Sequence, residues 1–225
     1  MQIAPPILKV HNLGRRAEGN GEWLLRDINL KISAGDRIAL VGLSGSGKTL
    51  LLRSLAMLDP CSTGEILLDG EPVHDRAIPR FRTQAIYLHQ HPVLFEGTVE
   101  FNLRRPFELD VHRDKRFDRA QIIDWLHMLD RDETFLAKQQ QNLSGGEAQL
   151  TALLRAMQLQ PKVLLFDEPT AALDAEATVA VERLATAWLN EEPTERAFVW
   201  VSHAADKAER MGDVIYRMDG GQLHK

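Results

Sequence analysis

Short apolar runs broken by glycine-rich or charged turns set the rhythm of this chain. Arg37-Ile38-Ala39-Leu40-Val41, Val163-Leu164-Leu165-Phe166 and Phe198-Val199-Trp200-Val201 each predict a buried strand. Thr49 to Leu58 predicts a helix, stopped by Asp59-Pro60. A second long helix is predicted from Ala148 to about Gln158. Ile28–Ile32 and Arg37–Val41 predict paired strands around Ser33-Ala34-Gly35-Asp36, and Ile66–Glu71 predicts a hairpin turning at Asp69-Gly70. Between Arg104 and Gln141 charges become dense around one amphipathic set, Ile122, Leu126 and Leu129. That spacing predicts a helical subdomain with a solvated charged face.

The junction between the strand at Arg37–Val41 and the helix at Thr49 carries the first chemistry. Gly42-Leu43-Ser44-Gly45-Ser46-Gly47-Lys48-Thr49 fits the pattern G-x-x-x-x-G-K-[ST]. Gly42, Gly45 and Gly47 let backbone N–H groups curl around phosphate oxygens, and the helix N-terminus adds partial positive charge. Lys48 would bridge the β- and γ-phosphates, and the Thr49 hydroxyl would ligate Mg²⁺. The flanking strand and helix favour this over a plain glycine turn with a solvated lysine, so the loop is expected to bind a nucleoside triphosphate.

A second anion-binding feature opens the helix near Ala148. In Leu143-Ser144-Gly145-Gly146-Glu147, Ser and Glu stand at capping-box spacing, so an ordinary helix start is one reading. Two glycines in a first turn, however, cost about 1 kcal/mol each against alanine. They favour the other reading, a helix N-terminus that an anion can approach closely.

LSGGE, at its distance from the phosphate loop, resembles the signature of the ATP-binding-cassette (ABC) ATPases, and further motifs follow in the family's order. Gln90 in Tyr87-Leu88-His89-Gln90-His91-Pro92 resembles the Q-loop glutamine. Val163 to Thr170 resembles the Walker B strand, with Asp167 and the catalytic Glu168. Ala172-Leu173-Asp174 resembles the D-loop, and Val201-Ser202-His203 the switch histidine. The resemblance implies an α/β P-loop hydrolase fold, a RecA-like parallel core with a small antiparallel β subdomain and an inserted α-helical subdomain. It implies one domain over residues 1–225, with about 1–90 and 159–225 as core and β subdomain and about 91–158 as the helical part. Catalytic roles fall on Glu168, His203 and Gln90. Nucleotide contacts fall on residues 42–49, Ser144, Gly145, Gly146 and Asp174, and Mg²⁺ contacts on Thr49, Gln90 and Asp167. ATP would lie between two copies arranged head to tail.

Apart from the family, Asp167 and Glu168 close an apolar strand, where carboxylates face the ligand crevice of a parallel sheet. There Asp167 would hold Mg²⁺ through its water shell, and Glu168 would orient or deprotonate the attacking water. His203 and Gln90 take their roles from the resemblance alone.

Composition narrows the partners. The 225 residues are 44% hydrophobic and carry net charge −5, which suits one compact domain and indicates no broad affinity for nucleic acid or anionic lipid. A single cysteine, Cys61, fits a reducing cytosol. No apolar stretch reaches the roughly 20 residues of a membrane span, and Met1-Gln2-Ile3-Ala4-Pro5-Pro6 lacks the marks of a leader. The expected location is cytoplasmic, peripheral on the inner face of the inner membrane, with no direct insertion. The 93 residues between Thr49 and Leu143 hold no sustained heptads, unlike the coiled-coil chromosome-maintenance members, and there is one cassette, not two. What remains is the free-standing cassette subunit of a transporter, energising a separate membrane permease, or of a related membrane complex.

His91 to Phe95, with Phe101, is apolar enough either to receive a coupling helix of that permease or to form ordinary subdomain core. The stretch Phe95–Leu103, with Pro106, resembles bacterial iron-export and metal-resistance ATPases. A phosphate- or amino-acid-type importer subunit, or a cassette regulating cell division or lipoprotein release, are the alternatives. Two departures stand out. No aromatic lies near Gly14-Arg15-Arg16-Ala17, where the family stacks one on adenine, so an arginine or Trp23 would substitute, or base selectivity is loose. The signature also has Glu147 and Leu150 where Gln and Arg are common, which puts charge pairing at that helix end in question.

Overall fold

The computed structural model describes residues 6–19 and 21–225. Met1–Pro5, most of the stretch read for a leader, and Asn20 lie outside them. In chain order come β1 (Leu8–Arg16), β2 (Trp23–Ile32), β3 (Arg37–Val41), α1 (Lys48–Leu55), β4 (Thr63–Leu68), β5 (Glu71–Pro72), α2 (Ile78–Phe81) and β6 (Ala85–Leu88). Then follow α3 (Val99–Arg104), α4 (Arg119–Met128), α5 (Gly145–Met157), β7 (Val163–Asp167) and α6 (Ala175–Glu191). The chain closes with β8 (Ala197–Val201), α7 (Ala205–Met211), β9 (Val214–Asp219) and β10 (Gln222–His224). It divides into two compact units. The first runs to Tyr87 and adds Lys162–Glu168 and Glu192–Lys225; the second joins Leu88–Pro161 to Pro169–Glu191.

Two sheets build the first unit. A six-stranded sheet has the order β10-β9-β3-β8-β7-β6, and a four-stranded sheet the order β2-β1-β4-β5. In the large sheet β3 pairs in parallel with β8 and β9, and β7 with β8. The central residues of β3, and all of β7 and β8, are buried, the signature of strands covered on both faces. On one face Phe166, Phe198 and Trp200 meet in ring contacts of 4.9 to 6.3 Å. On the other, Leu165, Val199 and Val201 join Leu51, Leu52 and Leu55 of α1 and the inward side of the antiparallel sheet in one core.

The expected pairing of Ile28–Ile32 with Arg37–Val41 does not form. β2 pairs with β1 in the antiparallel sheet, while β3 lies in the parallel one. Burial explains the separation: β2 alternates buried and exposed positions from Ile28 to Ile32, as a half-solvated strand does, whereas β3 has no solvated face. The hairpin at Asp69-Gly70 does form, with Leu68 opposite Glu71. The helix after the phosphate loop ends at Leu55, before the expected stop at Leu58, because Met57 turns into the left-handed region at φ 51°. The signature helix starts earlier than expected, at Gly145.

The second unit is largely helical. Ile122 and Leu126 of α4, with Leu129 just beyond it, are at most 3% exposed, as their spacing predicts. Here α3 packs on α5 and α4 on α6.

Beyond α1, Asp59 ties the exit of the helix to β1. Arg53 donates to it through Nε at 2.7 Å and a terminal nitrogen at 2.8 Å, and Arg15 pairs with it at 2.6 Å. The Arg53 hydrogen bond, aided by Arg15, holds the Asp59 carboxyl down at about 2. A depressed folded-state value stabilises the fold above the unfolded value, about 4, and that stability is lost as pH falls from there towards about 2. Asp59→Asn is therefore expected to lower stability at neutral pH and to flatten its fall between about pH 4 and 2, read from urea midpoints across that window.

Candidate functional site

Register assembles the site. Leu40 of β3 pairs with Val201 of β8, and Val201 pairs with Asp167 of β7, so one rung crosses three parallel strands. The phosphate loop leaves β3 two residues past this rung and His203 lies two residues past Val201. Glu168 directly follows Asp167. The carboxyl ends of parallel strands thus deliver all four features to one sheet edge.

The loop is shaped for close approach. A Cβ on Gly42, at φ 155°, would sit 2.4 Å from the Met218 carbonyl oxygen, so only glycine fits. α1 begins without a side-chain cap at Gly47, which leaves its first N–H groups to a ligand. Ser46 Oγ is buried with no hydrogen-bond partner among the described residues, and the space beside Gly45 is open. An orphaned hydroxyl beside uncapped N–H groups fits phosphate oxygens. Lys48 folds back on the loop, donating from Nζ to the carbonyls of Gly42 at 2.8 Å and Leu43 at 2.9 Å. Burial lowers its pKa, with Glu168 and Asp167 opposing the shift.

Asp167 is 3% exposed, and its Oδ2 accepts from Thr49 Oγ1 at 2.8 Å and from the Tyr87 hydroxyl at 2.7 Å. Burial, then the bond to Asp167, pushes the Tyr87 phenol well above its usual range. Sequence reasoning missed Tyr87. Its only signal was one hydroxyl in the otherwise apolar run Ala85-Ile86-Tyr87-Leu88. Glu168 follows with φ 51°, a left-handed backbone that a non-glycine residue holds only at a cost of order 1–3 kcal/mol. Its Oε1 lies 2.5 Å from His203 Nε2, so the two residues expected to serve the terminal phosphate touch each other.

Beside this edge, the two arginines near the missing aromatic have separate partners. Arg15 is held by Asp59, whereas the Arg16 guanidinium lies 4.0 Å over the Trp23 ring and donates to the Gly21 carbonyl at 2.9 Å. Two of the expected substitutes, an arginine and Trp23, are therefore one stacked pair.

The second unit carries Gln90, the signature and Asp174. Ser144 and Glu147 form a full capping box, Ser144 Oγ accepting at 3.2 Å and Glu147 Oε2 at 3.0 Å. The two glycines behind it differ. A Cβ on Gly146 would meet Leu173 Cδ2 at 2.8 Å and the Ala172 carbonyl oxygen at 3.1 Å, so close packing on residues 172–173 requires that glycine. At Gly145 the nearest atom would be 3.7 Å away, ordinary contact, and that position stays open to a ligand. Glu147 pairs with Lys138 at 2.5 Å, which holds its carboxyl below the usual range, and Leu150 is 2% exposed in the core. The two departures in the signature thus have local partners. Asp174 accepts from the Ala177 N–H at 2.8 Å and caps α6.

Val93, Phe95 and Phe101 are 84%, 53% and 41% exposed, which overturns the reading of these residues as subdomain core. The buried Asn102 accepts from the Phe95 N–H at 2.8 Å and donates to the Phe95 carbonyl at 2.9 Å, clasping its backbone. Arg155 of α5 donates to the Val93 carbonyl at 3.0 Å, and Arg105 lies over both the Phe95 and Phe101 rings.

Comparison with known proteins agrees with this geometry. The family model described as ABC transporter matches residues 25–171. The chain is 35% identical over 215 residues to the probable iron export ATP-binding protein FetA of Escherichia coli (strain K12), covering 96% of this chain and 92% of that protein. It is 34% identical over 220 residues to Protein STAR1 of Oryza sativa subsp. japonica, covering 98% of this chain but only 62% of that protein. In fold it matches the ATP-binding cassette MJ0796, solved as a dimer with ADP and Pi, at a TM-score of 0.84 and 24% identity over 97% of both chains. No helix among the described residues is long and apolar enough to cross a membrane. With its P-loop α/β fold and phosphate-loop edge, the chain belongs to the ABC transporter family, as an ATP-binding, ATP-hydrolysing subunit.

Proposed function

We propose that this subunit hydrolyses ATP within a head-to-tail dimer of two copies and so drives a separate integral-membrane permease from the cytoplasmic face of a bacterial inner membrane. The rung Leu40–Val201–Asp167 supports the reading, because Gly42, Asp167, Glu168 and His203, to which we give the roles of phosphate loop, metal carboxylate, general base and switch histidine, lie on or just past it. Residues 42–47 supply backbone N–H groups to the phosphates, and Lys48 turns from its own loop carbonyls to the β- and γ-oxygens. No cluster of three His, Cys, Asp or Glu side chains able to hold a metal exists among the described residues. The hydroxyl–carboxylate pair of Thr49 and Asp167 instead suits Mg²⁺, which takes few protein oxygens and relies on phosphate and water for the rest. Mg²⁺ would neutralise charge on the phosphates. Gln90 is assigned to the same ion as the Q-loop glutamine.

Glu168 orients or deprotonates the attacking water, and His203, in contact with it, turns to the γ-phosphate. Ser144, Gly145 and Gly146 of the second copy close over the phosphates, with Gly145 as the position open to them and Asp174 at the start of the neighbouring helix. In domain terms, we read about 1–90 and 159–225 as the catalytic core with the β subdomain and about 91–158 as the helical part, with residues 169–191 packing in the helical unit.

The exposed Val93, Phe95 and Phe101 surface receives the permease's coupling segment. The likeness to FetA, a probable iron export ATP-binding protein, together with the pattern of residues 95–103, supports a metal ion carried outward as cargo.

Glu168→Gln is expected to trap an ATP-bound dimer, doubling the apparent mass on sizing with Mg-free ATP; a monomer there overturns the dimer scheme. Phe95→Asp is expected to move the chain from the membrane fraction to the soluble one with ATP affinity unchanged. An unaltered membrane fraction removes this surface from the permease contact.

A further inference from the structure

Asp167 is fixed more firmly than a metal carboxylate needs for charge alone. Both the Thr49 and the Tyr87 hydroxyls donate to the same oxygen, Oδ2, at 2.8 and 2.7 Å. With one oxygen held by two donors from two different elements, the carboxylate plane is set, and with it the direction of Oδ1. Thr49 lies in the first turn of α1, and as a cation ligand it has a second task. Tyr87 has none, and it stands on β6, the edge strand beside β7. Its ring packs against the core of the first unit, so the phenol is anchored by its body and directed by its strand. A hydroxyl that orients a metal-binding carboxylate from outside the ligand set commonly governs metal affinity by 10–100-fold.

We propose that Tyr87 is a positioning residue for the divalent cation, holding Asp167 in its binding orientation through the hydrogen bond to Oδ2. This rests on the reading above in which Asp167 holds the ion through its water shell. In this proposal Tyr87 acts through Asp167 and is not itself a ligand of the ion. Its phenol presets the carboxylate, so that the cation is taken up without the rotamer search that a free aspartate would need.

Tyr87→Phe removes the hydroxyl and keeps the ring. The full-length variant, loaded with ATP, is titrated with Mn²⁺ as the probe and bound ion is read by electron paramagnetic resonance; ATP affinity is measured separately in EDTA. Mn²⁺ affinity is expected to fall roughly tenfold, with ATP affinity in EDTA unchanged within about twofold. Unchanged Mn²⁺ affinity overturns the inference. So does a parallel fall in metal-free ATP affinity, which indicates general disturbance of the site. Asp167→Asn in the same titration separates the two levels. If Asp167→Asn leaves Mn²⁺ affinity intact, the metal reading of Asp167 fails; if it weakens binding and Tyr87→Phe does not, only the role of Tyr87 fails.

Discussion

Parallel pairing in one register is the constraint on which the site depends. Parallel pairing of Leu40 with Val201 and of Val201 with Asp167 places three strand ends level, and each end then releases its functional residue within two positions. A slip of one residue in any of these strands would exchange the side chains packed on its two covered faces and displace the carboxylates from the loop. The two faces are not interchangeable, because Phe166, Phe198 and Trp200 pack on one and Leu165, Val199 and Val201 on the other, and that difference resists such a slip. Packing of Phe166, Phe198 and Trp200 on one side of the sheet therefore also maintains the geometry of catalysis.

Much of this was legible in the sequence, because glycine loops and apolar runs report backbone requirements directly. The phosphate loop, the strands at 163–167 and 197–201 and the helix bearing Ile122 and Leu126 all carry local signals. Less legible were features settled by distant partners. The break between β2 and β3 depends on which sheet each strand joins, and four turn residues look alike in a hairpin and in a crossing between sheets. Tyr87 gave little warning, since its bond spans 80 positions. Gly146 carries a requirement the sequence did not show, since a side chain there would meet residues 172–173, whereas Gly145 has only ordinary contact at 3.7 Å. The family resemblance supplied His203 and Gln90, for which elementary chemistry had no argument.

Electrostatics at the edge follow from economy of partners. Lys48, Asp167, Glu168 and His203 draw mainly on the loop's own carbonyls, on each other and on Thr49 and Tyr87. Such contacts are cheap to exchange when phosphates arrive, because each group keeps its position and changes only its partner. Arg15 and Arg53, by contrast, are committed to Asp59, away from that exchange.

The clasp of Asn102 on Phe95 separates two kinds of information. The path of the backbone is written inside, in one buried amide and the Arg155 and Gln158 donors to residues 93 and 103. The chemistry shown to the outside is written in the exposed side chains of Val93, Phe95 and Phe101, which those bonds do not involve. Outer residues can therefore diverge while the inner ones stay fixed. Change at three surface positions can in this way alter what the protein presents outside while leaving the inner scaffold that shapes the segment intact.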